Sequence, residues 1–180
     1  MHGAVNQAIE DLVIKEFGDK TWKTIKSKAG FKEDMFLSNK SYPDEMTFKL
    51  VVAAHETTGL SVDDLLFAFG EHWILETGMK KYGAVLQAGG RTYQEFMEHL
   101  PEFHGRVMIL YPNITPPEFG VETKQKELVI DYKSTRAGLT TFVKGLLSGI
   151  AKMFNQEISI DIIQRKDEGA DNDRFKITYE

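Results

Sequence analysis

The feature that most constrains the fold is a change of hydrophobic period next to a pair of prolines, Pro116 and Pro117. Before this pair, apolar residues recur at the three-to-four-residue spacing of amphipathic helices. After it, they alternate with polar residues, as they do along half-buried strands. A Pro-Pro pair is stiff and extended, so it separates the two patterns. The sequence therefore predicts a helical N-terminal lobe, residues 1–112, and a C-terminal lobe of strands and helix, residues 113–180.

The C-terminal lobe contains four alternating segments and one strongly apolar stretch. The segments predict strands over 119–123, 127–134, 157–164 and 175–179, and the stretch predicts a helix over 139–154. The expected order is strand, strand, helix, strand, strand, with an antiparallel sheet. Together with the helical lobe this gives an α+β fold class. The polar linker 166–173 is expected to be mobile.

Helical periodicity covers most of the N-terminal lobe. One helix is expected to begin after the cap Ser61 and to end near Gly78, and a separate short helix is expected over 82–88. A helix over 92–111 is expected in two pieces, because Pro101 suits a first helical turn better than a helix interior.

Composition excludes several classes of function. Lys and Arg number 22 against 27 Asp and Glu, and this net charge of −5 argues against nucleic acid or an anionic membrane as the main partner. No apolar run is long enough to span a membrane and no signal peptide opens the chain, so a cytoplasmic location is expected. Because the chain has no cysteine, disulfides, iron–sulfur clusters and covalently attached heme are excluded.

Tyr132, Ser134 and Arg136 occupy alternate positions at the end of the second predicted strand. Side chains at alternate positions of a strand point the same way. A guanidinium matches a carboxylate or phosphate, and two hydroxyls can satisfy the remaining oxygen lone pairs. Taken alone the pattern is compatible with an anion clamp, but the spacing by itself favours an ordinary strand end with one solvated arginine.

This Tyr-x-Ser-x-Arg pattern, with His104 and Pro117 upstream at matching spacing, resembles the H-NOX family of heme-based gas sensors. That family includes the heme domain of soluble guanylate cyclase. The opening Gly-x-Val-Asn-x-Ala-Ile pattern from Gly3 is similar to stand-alone cyanobacterial members. The resemblance runs through the whole chain. It implies a single heme-binding domain over 1–180, with the heme between the two lobes.

The resemblance also implies a role for each site residue. The cofactor would be a non-covalent heme b with Fe(II), and His104 would be its proximal ligand; spacing alone would leave His104 an ordinary core histidine. Pro117 would press on the porphyrin, and Tyr132, Ser134 and Arg136 would bind the propionates. The distal pocket would be formed by Val5, Ile9, Trp73, Phe142 and Leu146.

Phe142 stands where dioxygen-binding members of the family carry a distal tyrosine. Bound dioxygen needs a hydrogen-bond donor, whereas nitric oxide and carbon monoxide need none. The expected function is therefore a nitric oxide sensor, not an enzyme, that also binds carbon monoxide and excludes dioxygen. Release of His104 would signal to a histidine kinase or a cyclic-di-GMP enzyme, expected in trans because the chain is short.

Two alternatives stay open. The same residues would suit a binding module for another hydrophobic carboxylate or another tetrapyrrole. A dioxygen-binding heme protein would follow if the indole N–H of Trp73 served as the donor.

Overall fold

The N-terminal half of the molecule is helical. The computed structural model describes residues 3–31, 35–38, 40–109 and 115–179, without the side chains of residues 107 and 108. The first four helices are α1 (Gly3–Phe17), α2 (Asp19–Lys28), α3 (Asp44–Thr58) and α4 (Val62–His72). As predicted, α4 begins after Ser61, whose hydroxyl accepts a hydrogen bond from the Asp64 N–H at 3.0 Å.

The helical stretch that begins with α4 does not break near Gly78, as the sequence suggested it would. It continues into a π-helix, Trp73–Gly78, and then directly into α5, Met79–Gln87. The expected break before residue 82 is a distortion inside α5, where Tyr82 has φ −132° and ψ 18°. Helical π turns are rare and occur often at functional sites, and this one adjoins the cavity described below.

The next helical stretch is in two pieces, α6 (Tyr93–Glu98) and α7 (Leu100–Met108), as predicted. Thr92 caps α6 by accepting the Glu95 N–H at 3.2 Å, and the Glu95 carboxylate accepts the Arg91 N–H at 2.8 Å. Pro101 lies in the first turn of α7. The predicted helix end at residue 111 lies outside the described residues.

The C-terminal half has the predicted order of strand, strand, helix, strand, strand. Its elements are β1 (Glu118–Lys124), β2 (Glu127–Lys133), α8 (Thr140–Met153), β3 (Ile158–Gln164) and β4 (Asp173–Tyr179). The strands form an antiparallel sheet in the order β1-β2-β4-β3. Tyr132 on β2 lies opposite Phe119 on β1 and opposite Asp173 on β4. The α+β fold class is confirmed.

The sheet is apolar on one face and charged on the other, as its period of two requires. Leu128, Ile130, Phe175 and Ile177 are fully buried on the inner face. On the outer face, ion pairs join the strands, such as Arg174 with the Glu122 carboxylate at 3.0 Å.

Two buried apolar clusters form the core. One contains residues of α1 to α4, and the other extends from Ile74 through the sheet to α8. Trp73 and Phe142 pack against both clusters. The boundary between the two clusters therefore lies near the π-helix. The predicted lobe boundary at 112/113 falls outside the described residues and stays a prediction.

The linker expected to be mobile is held at its C-terminal end. Asp173 is only 3% exposed and accepts hydrogen bonds from the Thr140 hydroxyl and the Lys166 N–H, both at 2.8 Å. Asn172 donates to the Asp131 carboxylate at 2.7 Å. A polar sequence signals solvent contact, but it does not show which side chains find buried partners.

None of the described helices combines the length and apolar character that crossing a membrane requires.

Candidate functional site

A cavity of about 280 Å³ lies where the two core clusters meet. Its walls are contributed by α1, the π-helix, α5, α7, α8 and the first two strands. Most of the lining is aliphatic or aromatic, and only a few polar groups reach it. An apolar cavity with a few placed polar groups is the usual form of a cofactor site.

The structure brings together eight of the ten residues that the sequence singled out. The cavity is lined by His104, Pro117, Tyr132, Arg136, Val5, Trp73, Phe142 and Leu146. Ile9 and Ser134 are not part of the lining. Ile9 packs instead inside the cluster of the first four helices, and Ser134 is buried just beyond the end of β2.

His104 stands on α7 and is half-buried, with its ring against Phe119 of β1. The ring centroids are 5.0 Å apart and the planes meet at 66°. Burial lowers the pKa of His104, so the neutral imidazole is favoured, with a lone pair on one nitrogen. Among the described residues, no group hydrogen-bonds to this ring. His104 is therefore chemically able to ligate a metal.

Pro117 lies immediately before β1, and Phe119 follows it into the strand. Both residues line the cavity, and the Phe119 ring contacts the His104 ring. Proline has a rigid ring and no N–H, so at this place it offers a firm apolar surface without an unsatisfied donor.

The anion clamp is assembled differently from the prediction. Only Tyr132 belongs to β2, because the strand ends at Lys133, so Ser134 and Arg136 are not on the same strand face. A bend beyond the strand places them instead. The Ser134 hydroxyl accepts the Arg136 backbone N–H at 3.1 Å.

The charges at the clamp are partly balanced. The Arg136 guanidinium donates to the Asp44 carboxylate of α3 at 2.8 Å, which ties the clamp to the N-terminal helices. Burial raises the pKa of Tyr132, although a hydrogen bond with Ser134 and the charge of Arg136 oppose the rise. Tyr132 is therefore a phenol that can donate a hydrogen bond to a carboxylate.

Another part of the cavity lining is aromatic and aliphatic. Phe142 of α8 stacks on Phe69 of α4 with ring centroids 4.9 Å apart, and Trp73 packs edge-on against Phe69 at 6.3 Å. Val5 and Leu146 complete this wall. Apart from the Trp73 indole N–H, these four lining side chains carry no hydrogen-bond donor.

The sequence interpretation missed Tyr82, which also lines the cavity. The backbone angles of Tyr82 are not helical, and they distort α5. No local pattern signals this distortion, because Tyr82 fits the start of an ordinary short helix equally well.

The residues present fit a heme. One neutral imidazole can bind iron, apolar walls can enclose a porphyrin, and Arg136 with Tyr132 can neutralise a propionate where an unpaired charge would be costly. The chain has no cysteine to attach a vinyl group, so a heme would be held without covalent bonds.

Known proteins resemble this chain over most of its length. A family model described as haem-NO-binding matches residues 2–162. Soluble guanylate cyclase gcy-31 of Caenorhabditis elegans is 27% identical over 165 residues, which are 91% of this chain and 24% of that protein. Soluble guanylate cyclase gcy-37 of the same organism is 28% identical over 176 residues, 93% of this chain and 24% of that protein. The chain thus spans about a quarter of the length of these relatives.

Solved structures share the fold over the whole chain. An H-NOX protein from S. oneidensis in the Fe(II)NO ligation state has a TM-score of 0.88 at 23% identity, with 100% of this chain and 99% of that chain covered. The Fe(II) unliganded H-NOX protein from K. algicida has a TM-score of 0.85 at 26% identity, with 100% and 97% covered.

Proposed function

Because this chain belongs to the haem-NO-binding family of heme-based gas sensors, we propose that it is a nitric oxide sensor with a non-covalent heme b. His104 is the proximal ligand of the Fe(II), and Tyr132, Ser134 and Arg136 form the propionate clamp. The observation that carries this proposal is the meeting of His104, Arg136 and an apolar wall around one cavity. Residues this far apart in sequence converge on a single space with complementary chemistry.

Each part of the cavity supports a separate role. The neutral imidazole of His104 would hold the iron, and Pro117 would offer a rigid apolar surface. The apolar lining of Val5, Trp73, Phe142 and Leu146 would exclude water from the bound group. Ile9 supports that wall from within the core rather than by direct contact.

Gas selectivity follows from the missing donor at Phe142. Dioxygen on ferrous iron requires a hydrogen bond to stay bound, whereas nitric oxide and carbon monoxide do not. Phe142 stacks on Phe69, and for this selectivity the Trp73 indole and the Tyr82 hydroxyl, which also line the cavity, must not reach the bound gas. The site therefore favours nitric oxide and carbon monoxide over dioxygen.

Signalling would begin at His104. A bound heme would supply a ferrous iron, held by His104, as the site for nitric oxide. A change in how His104 is held would act on α7, which packs against β1. Arg136, which reaches both the cavity and Asp44 on α3, then carries any shift of the clamp to the N-terminal helices. In this role the chain is a sensor and not a catalyst.

The effector is proposed to be a histidine kinase or a cyclic-di-GMP enzyme in a separate protein. Co-purification of such a partner in anaerobic buffer, with and without nitric oxide, measures whether the ligand changes the association. Equal recovery in both states would contradict a signalling role for that partner.

The decisive experiment records visible spectra of the purified protein after reduction with dithionite, first without oxygen, then in air, then with nitric oxide. A five-coordinate ferrous spectrum that air does not convert to a stable new form, and that nitric oxide shifts, is expected. In His104→Ala the five-coordinate spectrum should be lost and should return when imidazole is added.

Other outcomes would select the alternatives. A stable new spectrum in air would identify a dioxygen-binding heme protein, with Trp73 as the first donor to test. No heme band after reconstitution would indicate a binding module for a different hydrophobic carboxylate or tetrapyrrole.

A further inference from the structure

Lys166 makes an unexpected contact with the clamp. It begins a one-turn 3₁₀-helix, Lys166–Glu168, in the connection between β3 and β4. Its ammonium group, on a half-buried side chain, donates a hydrogen bond to the backbone carbonyl of Ser134. The two residues are far apart in the chain, so this contact exists only in the folded protein.

Asp173 holds Lys166 in this position. The Asp173 carboxylate accepts the Lys166 backbone N–H and the Thr140 hydroxyl, both at 2.8 Å. Asp173 is almost completely buried and is the direct cross-strand neighbour of Tyr132. The backbone of Lys166 is thus anchored to the sheet beside the clamp, and the start of α8 is anchored to the same carboxylate.

The contact falls at the point where the clamp leaves the sheet. β2 ends at Lys133, so the Ser134 carbonyl is beyond the strand ladder. The Ser134 side chain is buried, and its hydroxyl accepts the Arg136 N–H at 3.1 Å. A buried carbonyl without a donor is unfavourable, so loss of the ammonium group would favour a different bend at Ser134.

We infer that Lys166 is the positioning residue of the propionate clamp. Its ammonium group fixes the Ser134 carbonyl, and the Ser134 hydroxyl fixes the Arg136 backbone, from which the guanidinium reaches the cavity and Asp44. Lys166 does not line the cavity, so it acts through Ser134 rather than on a bound carboxylate directly. The inference rests on the proposed function, because a propionate clamp requires a heme. Whether Lys166 positions Arg136 can be tested without heme.

The first experiment uses the heme-free protein and measures hydrogen exchange of the Arg136 backbone amide by NMR. Lys166→Met should speed this exchange about tenfold, the effect expected from losing one hydrogen bond that involves a charged group. Lys166→Arg should remain within about twofold of the wild type, since it restores a charged donor. Lys176→Met is the matched control, because Lys176 on β4 pairs with Glu127 on the outer sheet face at 2.7 Å.

The second experiment measures the rate at which ferric heme leaves the holoprotein for an excess of a heme-scavenging globin. Lys166→Met should lose heme about tenfold faster than the wild type, and Arg136→Ala at least as fast. Lys166→Arg and Lys176→Met should match the wild type. In a Ser134→Ala background, Lys166→Met should have a much smaller effect, because the transmitting hydroxyl is already absent.

The outcomes separate the inference from the proposed function. A wild-type protein that retains no heme would overturn the proposed function, while the amide-exchange result would still decide whether Lys166 positions Arg136. Unchanged amide exchange and unchanged heme loss in Lys166→Met would overturn the inference alone. If Lys166→Met does not fold, Lys166→Gln replaces it. An effect of equal size in the Ser134→Ala background would also contradict the inference.

Discussion

Burial determines the protonation of two side chains at the cavity, His104 and Tyr132. It lowers the pKa of His104 and raises that of Tyr132, so both are neutral at neutral pH. Neutral imidazole offers a lone pair and neutral phenol offers a proton. Burial thus adds to the preference for the neutral forms that an imidazole and a phenol already have at this pH.

A hydrogen-bond donor at position 142 is expected to decide whether the site holds dioxygen as well as nitric oxide and carbon monoxide. Phe142→Tyr adds one hydroxyl to the apolar wall, and this hydroxyl can donate a hydrogen bond to dioxygen on the iron. The variant, reduced and exposed to air, should form a stable complex that the wild type does not form, as seen in its visible spectrum.

Phe103→Tyr is the matched control for this substitution. Phe103 also lines the cavity but lies on α7, next to His104. The visible spectrum of reduced Phe103→Tyr exposed to air should match that of the wild type. A dioxygen complex in both variants would show that any added hydroxyl suffices, and a complex in neither would place Phe142 out of reach of the ligand.

Among the described elements, α4 and α8 pack closely against each other, and two glycines make this possible. A Cβ at Gly70 would lie 2.3 Å from the Phe142 carbonyl oxygen, and a Cβ at Gly145 would lie 2.2 Å from the Phe67 carbonyl oxygen. The obstructing atoms belong to backbone, which cannot rotate away. Phe142 thus reaches the cavity wall on a helix whose position is set by contacts between main chains.

Gly70→Ala and Gly145→Ala should each lower the free energy of unfolding by about 1–3 kcal/mol, because overpacking forces the two helices apart. Urea denaturation of the heme-free proteins measures this change. Gly83→Ala is the control, since a Cβ there would meet only the Met79 side chain at 4.0 Å. Alanine inside α5 should leave stability unchanged or raise it by up to about 1 kcal/mol. Equal stability of all three variants would contradict the close approach.

On the scale of the whole molecule, the pH dependence of stability should report two histidines, the buried His72 and the half-buried His104. Burial lowers the pKa of both His72, at the end of α4, and His104. The unfolded chain therefore binds more protons than the folded protein once the pH falls below the unfolded value of about 6.5. The stability that these two histidines contribute is fully present above this pH. It is lost as the pH falls through their folded pKa values.

Each histidine should contribute a slope of at most about 1.4 kcal/mol per pH unit in that window. The free energy of unfolding of the heme-free protein, measured by urea denaturation at several pH values below neutrality, should fall on acidification. His72→Gln should make this decrease shallower. An unchanged slope in the variant would show that His72 does not titrate differently in the folded and unfolded chains.

Local sequence patterns were sufficient to predict the order of the elements. The periods of two and of three to four residues reflect which face of a strand or helix is buried, and that information is contained in neighbouring residues. The antiparallel sheet with one helix inserted, the two pieces of the stretch around Pro101 and the cap at Ser61 followed from such signals. The π-helix was missed because one extra residue in a turn hardly changes the hydrophobic spacing.

The candidate site was predictable in its residue types but not in its arrangement. Most of the residues singled out by the motif line one cavity, whereas Ile9 and Ser134 stand behind the lining. Whether an apolar side chain touches a cavity or a neighbouring helix depends on the crossing of α1 with other helices. No spacing along α1 contains that information.

The sequence by itself determined the fold class, the absence of any thiol chemistry and the residues from which an anion clamp and an axial nitrogen can be built. Tertiary structure alone decided which partners these residues have. Asp44 meets Arg136 and Lys166 meets Ser134 across long stretches of chain. Such pairs depend on how complete elements pack, because burial brings distant groups together and then requires each buried polar group to find a partner.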